Sequence, residues 1–215
     1  MFITIEGIDG SGKSTQARRL AARLRREGKK VTETHEPGDW PHGDILRALL
    51  LNGRLRHPMT EIMLFVADRC EHVAQVIQPA LDQGEFVVCD RYNDSTRAYQ
   101  CWGRGLKEDI LESLIKWCGI PEPDLTVWLD LPVEEARKRM AGRGGSDRIE
   151  GEDLKFHEAV ARGFKELAER NGSRFFRVDA RAGEDEIEET IFSELKRRWS
   201  YESERNLLAE RRSLA

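Results

Sequence analysis

The chain has 215 residues, enough to bury a full core as one domain, and no Pro- or Ser-rich linker divides it. Its 35 Lys and Arg against 39 Asp and Glu leave a net charge of −4, which excludes a general basic field for nucleic acid; any phosphate site must be built locally. No apolar stretch approaches the roughly 18 residues of a membrane span, and the N-terminus lacks a charged leader, so the expectation is a soluble, cytoplasmic protein with no membrane partner.

In chain order, Phe2–Glu6 reads as a strand and runs straight into "GIDGSGKST". Ala17, Leu20, Ala21 and Leu24 then keep helical spacing, with Gly28 placed to end that helix. A second strand is predicted at Val31–Thr34. The apolar positions Ile62, Phe65, Val66, Val73, Val76 and Ile77 predict a long central helix, either closed by Pro79 or kinked and running on to Gly84. Phe86–Cys89, Thr126–Leu129 and Phe175–Val178 supply three more strands. Helices are predicted over Lys107–Cys118, Pro132–Met140, Asp153–Arg170 and Glu184–Arg198. Residues 1–198 form one domain on this reading. The tail 199–215 is charge-balanced and weakly amphipathic, and reads equally as a docked helix or a frayed end. Strands alternating with helices imply an α/β fold of three layers, a five-stranded parallel sheet with helices on both faces.

Gly7, Gly12, Lys13 and Ser14 fit G-x-x-x-x-G-K-[ST], the phosphate-binding P-loop, placed between a strand and a helix as the chemistry requires. Glycines let successive amides turn toward phosphate oxygens, the helix N-terminus adds partial positive charge, the lysine reaches the outer phosphates, and the hydroxyl holds Mg²⁺. The candidate ATP site is therefore Gly7, Ile8, Asp9, Gly10, Ser11, Gly12, Lys13, Ser14 and Thr15. Asp90, ending the strand "EFVVCD", is a candidate for reaching the metal through water. Arg91 follows at once and suits a second phosphate, although in isolation Asp-Arg also reads as a surface turn. "RMAGRGGSDRIE" places Arg139, Arg143 and Arg148 in a glycine-rich stretch, about 139–150, that reads as a mobile lid able to neutralise a phosphoryl group in transfer. A basic solvated loop is the plainer alternative. The four cysteines lack C-x-x-C spacing and read as reduced thiols. The five histidines lack metal-ligand spacing and read as structural or exposed.

A P-loop alone does not name the acceptor. The segments "IEGIDGSGKST", "HEPG", "LFVADR", "DRYNDSTRAYQ" and "GRGGSDRIE", in that order, resemble the thymidylate kinases, which transfer a phosphoryl group from ATP to dTMP. The resemblance implies that Lys13 and the loop amides hold the ATP phosphates, with Ser14 on Mg²⁺; the lid reading adds Arg139 and Arg148 to the ATP site, and the strand-end reading adds Asp90 to the metal. It implies that Asp9 sits near the acceptor's 3′-hydroxyl and phosphate, that Phe65 stacks on thymine, and that Arg69 hydrogen-bonds a thymine carbonyl. Arg91 would grip the dTMP phosphate, Ser95 and Thr96 would contact the base edge with Gln100 beside them, and Tyr99 would lie under the deoxyribose. Arg143 matches the lid arginine of members whose P-loop has none, as Ser11 indicates here. Lys13, Arg91, Arg143 and Asp9 are thus the catalytic candidates. A homodimer joined through helices on one face is also implied. Phe65 and Arg69 share a helix face at i, i+4, which fits a ring and a guanidinium addressing one base, although each aromatic also reads as core. The family's usual R-E-P-G-G is His35-Glu36-Pro37-Gly38-Asp39 here. The rival readings are a related kinase for another nucleoside monophosphate, and a non-catalytic nucleotide-dependent regulator.

Overall fold

The computed structural model describes the backbone of residues 1–141 and 147–213, and the side chains of residues 1–141 and 147–199. Five strands, β1 (Phe2–Glu6), β2 (Val31–His35), β3 (Phe86–Asp90), β4 (Leu125–Asp130) and β5 (Phe175–Asp179), form one parallel sheet in the order β2-β3-β1-β4-β5. Each was expected; the sheet extends β2, β3 and β5 by one residue and β4 at both ends. Alternation along the strands separates two apolar layers. Ile3, Ile5 and Val88 pack with Leu20 and Leu24 on one face, while Phe2, Val87 and Cys89 pack with Ile62, Val66 and Leu111 on the other. Each such fully buried aliphatic contributes roughly 1.5–3 kcal/mol of transfer free energy.

Helix α1 (Lys13–Arg26) opens directly from the glycine loop. It ends in a Schellman motif: Gly28, at φ +75°, donates to the Arg25 carbonyl at 3.0 Å, and Lys29 donates to that of Leu24 at 3.0 Å. The central helix takes the second of its two predicted courses. α3 (Pro58–His72) widens into a π-turn at Val73–Ile77 and continues as α4 (Gln78–Asp82), so the chain passes Pro79 without stopping. The wider turn absorbs the amide that proline lacks. α6 (Glu108–Cys118), α7 (Val133–Ala141) and α8 (Leu154–Arg170) follow prediction, with Asp153 capping α8 through the Phe156 amide at 2.9 Å. α9 (Glu184–Ser213) stays helical beyond the predicted Arg198.

Two helices were not foreseen. α2 (Gly43–Asn52) starts at a glycine behind His42 at φ +70°, with no side-chain cap to announce it. α5 (Asn93–Thr96), continued by a π-turn at Arg97–Gly103, is a single turn with no local cap. Among the described residues no helix is long and apolar enough to cross a membrane, and no group of three or more His, Cys, Asp or Glu is placed to hold a metal.

Candidate active site

In a parallel sheet, ligands collect beyond the carboxyl ends of the strands. β1 and β3 are neighbours, with Ile5 opposite Asp90, so the glycine loop leaving β1 meets Asp90 and Arg91 leaving β3. Gly7 is at φ +146°, and a Cβ there would lie 2.7 Å from the Leu129 carbonyl oxygen; only glycine lets the loop pass β4 this closely. The loop folds over Lys13, whose Nζ donates to the Ile8 carbonyl at 2.8 Å. Burial pushes the Lys13 ammonium down to about 8, Arg91 adding to this while Asp9, Asp90 and Glu6 oppose it. A polyphosphate would restore that charge.

The Ser14 hydroxyl donates to Oδ2 of Asp90, and Asp90 Oδ1 is buried without a hydrogen-bond partner among the described residues. A buried, half-satisfied carboxylate beside a hydroxyl at a phosphate loop fits Mg²⁺, a hard cation that takes oxygen ligands. Gly10, Gly12, Ser14 and Thr15 line a cleft of about 680 Å³ that also reaches Asp90 and Arg91.

A second cavity opens on the other side of Asp9 and Arg91, which line both. Its walls are Phe65, Arg69, Ser95, Thr96, Tyr99 and Gln100, so the six predicted acceptor residues meet in one place. Their bonding is more specific than predicted. Arg69 is 1 % exposed; its Nε and Nη2 are held by Glu36 at 2.8 and 2.6 Å and by Thr96 at 3.0 Å, leaving buried Nη1 without a partner. One donor is thus free for a ligand carbonyl. Thr96 is committed to Arg69, Ser95 to Glu6, and Gln100 to Glu61 at 2.7 Å, so these three shape the wall through their partners.

Arg91 stands at φ +69°, a costly conformation for a side-chain-bearing residue. Its guanidinium pairs with Asp9 and donates to Ser95 Oγ at 3.2 Å, while Tyr99 Oη donates to the other Asp9 oxygen at 2.7 Å. Burial would raise the Asp9 carboxyl, but Arg91, Lys13 and the Tyr99 hydroxyl together hold it below its usual range. Burial likewise opposes the Arg91 charge, but Asp9, Tyr99, Asp90 and Glu6 together outweigh it and raise the guanidinium above its ordinary value, so it stays protonated. Asp9 and Arg91 therefore form a charged hinge between the two cavities.

Two arginines expected on the lid are held elsewhere. Arg139 lies within α7, as the helix predicted over Pro132–Met140 implies, and its Nη2 donates to the Ala180 carbonyl at 2.8 Å, lining neither cavity. Arg148 pairs with Glu61 at 2.7 Å and donates to the Leu50 carbonyl at 2.9 Å, clasping its segment to α2 and α3. Local packing and a buried carboxylate claim both side chains. Arg143 lies outside the described residues. From the same stretch, Asp147 and Glu150 line the larger cleft instead.

Three further residues belong to the site: Glu36 and Pro37, which line both cavities, and Glu6. Glu36 is buried between Arg69 and His72, whose Nδ1 lies 3.0 Å away, and His72 Nε2 sits 2.6 Å from Thr34 Oγ1, the structural role expected of a histidine here. His35 and Asp39 face each other at 3.3 Å, with Asp39 also accepting from Thr34 at 2.8 Å. Glu6 is fully buried at the end of β1. Burial, with Asp94 adding to it, raises its carboxyl to about 7. The signal for Glu6 is in the sequence: a lone carboxylate closing a strand with no other charged residue.

A family model described as thymidylate kinase matches residues 5–191. The thymidylate kinase of Synechococcus sp. (strain JA-3-3Ab) is 46 % identical over 201 residues, covering 92 % of this chain and 96 % of its own. That of Alkalilimnicola ehrlichii is 48 % identical over 184 residues, covering 83 % and 84 %. The crystal structure of thymidylate kinase from Ehrlichia chaffeensis matches with a TM-score of 0.75 at 30 % identity, covering 91 % of this chain and 98 % of that one. A phosphate loop and an arginine-walled pocket sharing the Asp9–Arg91 hinge agree with these likenesses: the chain belongs to the thymidylate kinase family.

Proposed function

We propose that this protein transfers the γ-phosphoryl group of ATP to the 5′-phosphate of dTMP, giving dTDP and ADP by direct in-line displacement. The observation that carries the reading is the meeting of the two cavities at Asp9 and Arg91, one led by Lys13, Ser14 and Asp90, the other by Phe65 and Arg69. Lys13 and the loop amides bind the donor phosphates. Arg91 exchanges its bond to Asp9 for the acceptor phosphate, freeing Asp9 for the sugar hydroxyl. Phe65 packs on the thymine ring, and Arg69 Nη1 gives the base carbonyl the hydrogen bond it lacks in the unliganded pocket. Cytosine would leave that buried donor mismatched, at a cost of roughly 1–3 kcal/mol. Tyr99, held by Asp9, forms the floor against a 2′-hydroxyl. The acceptor oxygen is already anionic near neutral pH, so no strong base is needed; positioning and charge neutralisation suffice. Mg²⁺ bound at Ser14 and Asp90 would neutralise charge on the donor phosphates. Arg143 would add charge neutralisation for the phosphoryl group in transfer.

We place the enzyme in the cytoplasm, where its four free thiols would stay reduced, and take it to act as a homodimer. Ile45 and Leu49 on α2, Met63 on α3 and Trp117 on α6 are exposed apolar side chains, and α3 packs against both α2 and α6, which supports a common dimer face. The test is kcat/KM for dTMP, dUMP, dCMP, UMP and thymidine with ATP and Mg²⁺. A clear preference for dTMP is expected; equal or better turnover of dCMP or thymidine would replace this reading.

A further inference from the structure

Glu6 is 0 % exposed, and no step above uses it. Its Oε1 accepts the backbone N–H of Tyr92 at 2.8 Å and of Ser95 at 3.2 Å, while Oε2 accepts the Ser95 hydroxyl at 2.5 Å. A residue of β1 thus caps α5 from across the sheet, and the segment it holds follows directly on Arg91. The positive φ of Arg91 is a conformation that a side-chain-bearing residue keeps only where its surroundings impose it.

The Ser95 hydroxyl has a single proton. Because that proton is given to the Glu6 carboxylate, an acceptor with no donor of its own, the hydroxyl turns its lone pairs outward, and Arg91 Nη1 donates to them at 3.2 Å. We propose that Glu6 is a positioning residue for phosphoryl transfer, fixing the direction of the Ser95 hydroxyl and thereby aiming the Arg91 guanidinium at the acceptor phosphate. This rests on the reading of Arg91 as the ligand of that phosphate.

Glutamine separates the cap from the aim. In Glu6→Gln the side-chain oxygen still accepts the two amides, so α5 keeps its cap. The new NH₂ group must donate to Ser95, which takes one of the two hydroxyl lone pairs and releases the hydroxyl proton from its fixed direction, so the acceptor that meets Arg91 Nη1 is no longer held in place. At pH 8, above the value of about 7 to which burial raises Glu6, the native carboxyl is largely ionised and the contrast is full. Glu6→Gln should raise the KM for dTMP about 5- to 10-fold, the scale of one hydrogen bond to a charged group, and leave the KM for ATP within about twofold. In a Ser95→Ala background the same substitution should add nothing, because the relay passes through that hydroxyl.

A native KM for dTMP in Glu6→Gln would overturn the proposal. So would an equal rise in both KM values, or the same loss repeated in the Ser95→Ala background. If Glu6→Gln does not fold, Ser95→Ala alone decides: its KM for dTMP should rise about fivefold, and a native value overturns the relay. Arg91→Ala serves as the control. If it leaves dTMP binding intact, the acceptor-phosphate reading fails; if it abolishes binding while Glu6→Gln is native, only the positioning role fails.

Discussion

Lys13 carries its charge where burial makes charge costly, and this gives nucleotide binding a pH dependence whose sign can be worked out. Its ammonium titrates at about 8 in the free protein, against an ordinary 10.5. Below pH 8 it meets the polyphosphate already protonated; above pH 8 binding must take up a proton. The dissociation constant of a non-hydrolysable ATP analogue should therefore rise by up to about tenfold per pH unit above 8, and Lys13→Ala should flatten that slope in calorimetric titrations. Linkage runs the other way for the unliganded fold: the unfolded chain holds this proton up to 10.5, so Lys13 makes the protein more stable as pH rises from about 8 toward that value. Arg143 is the proposed lid arginine, and its substitution tests charge neutralisation during transfer. Arg143→Ala should lower kcat by about 10²-fold while leaving dTMP affinity near native, the signature of charge stabilisation confined to the transition state. Single-turnover kinetics with equilibrium dTMP binding would check it. Arg139 and Arg148 illustrate why a guanidinium among glycines is weak evidence of role: a carbonyl at 2.8 Å and the buried Glu61 at 2.7 Å hold them, and neither partner could be read from nearby sequence.

Elements differ in how local their causes are. α1 announces itself at both ends, by the glycine loop that opens it and by Gly28 that closes it. No atom lies within 4 Å of a Cβ built on Gly28, so Gly28→Ala should cost only the backbone penalty of a left-handed residue, about 1 kcal/mol, read from urea denaturation. α8 is equally legible, with Asp153 as its cap and a long apolar stripe. α5 is the opposite case. Its first-turn amides are satisfied by Glu6, nearly ninety residues away, so no window around "NDST" contains the reason for its helicity. α2 escaped notice because its start is a chain reversal at His42 and Gly43, without the side-chain cap that marks most helices. The passage of the central helix through Pro79 depended on a π-turn, which period counting does not register.

Across the whole molecule, the exposed Trp117, 82 % accessible on α6, with Met63 on α3 and Ile45 on α2, is the proposed seam of a homodimer. Trp117→Asp should yield monomer at micromolar concentration in sedimentation velocity, with unchanged far-ultraviolet dichroism; a native dimer would move the interface elsewhere. The strands, most helices and the phosphate loop were readable from the amino-acid order, because strand alternation, helical period and the glycine-lysine spacing are each set by residues a few positions apart; the residues that line the second cavity were named only through the family resemblance. Only the tertiary structure decided which partners hold Arg139 and Arg148, which of Arg69's nitrogens stays without a partner, and that Glu6 accepts from Tyr92 and Ser95 beside Arg91. Those outcomes are pairings between buried charges from different strands and helices, and the sheet order that brings β1 beside β3 decides which partners can meet.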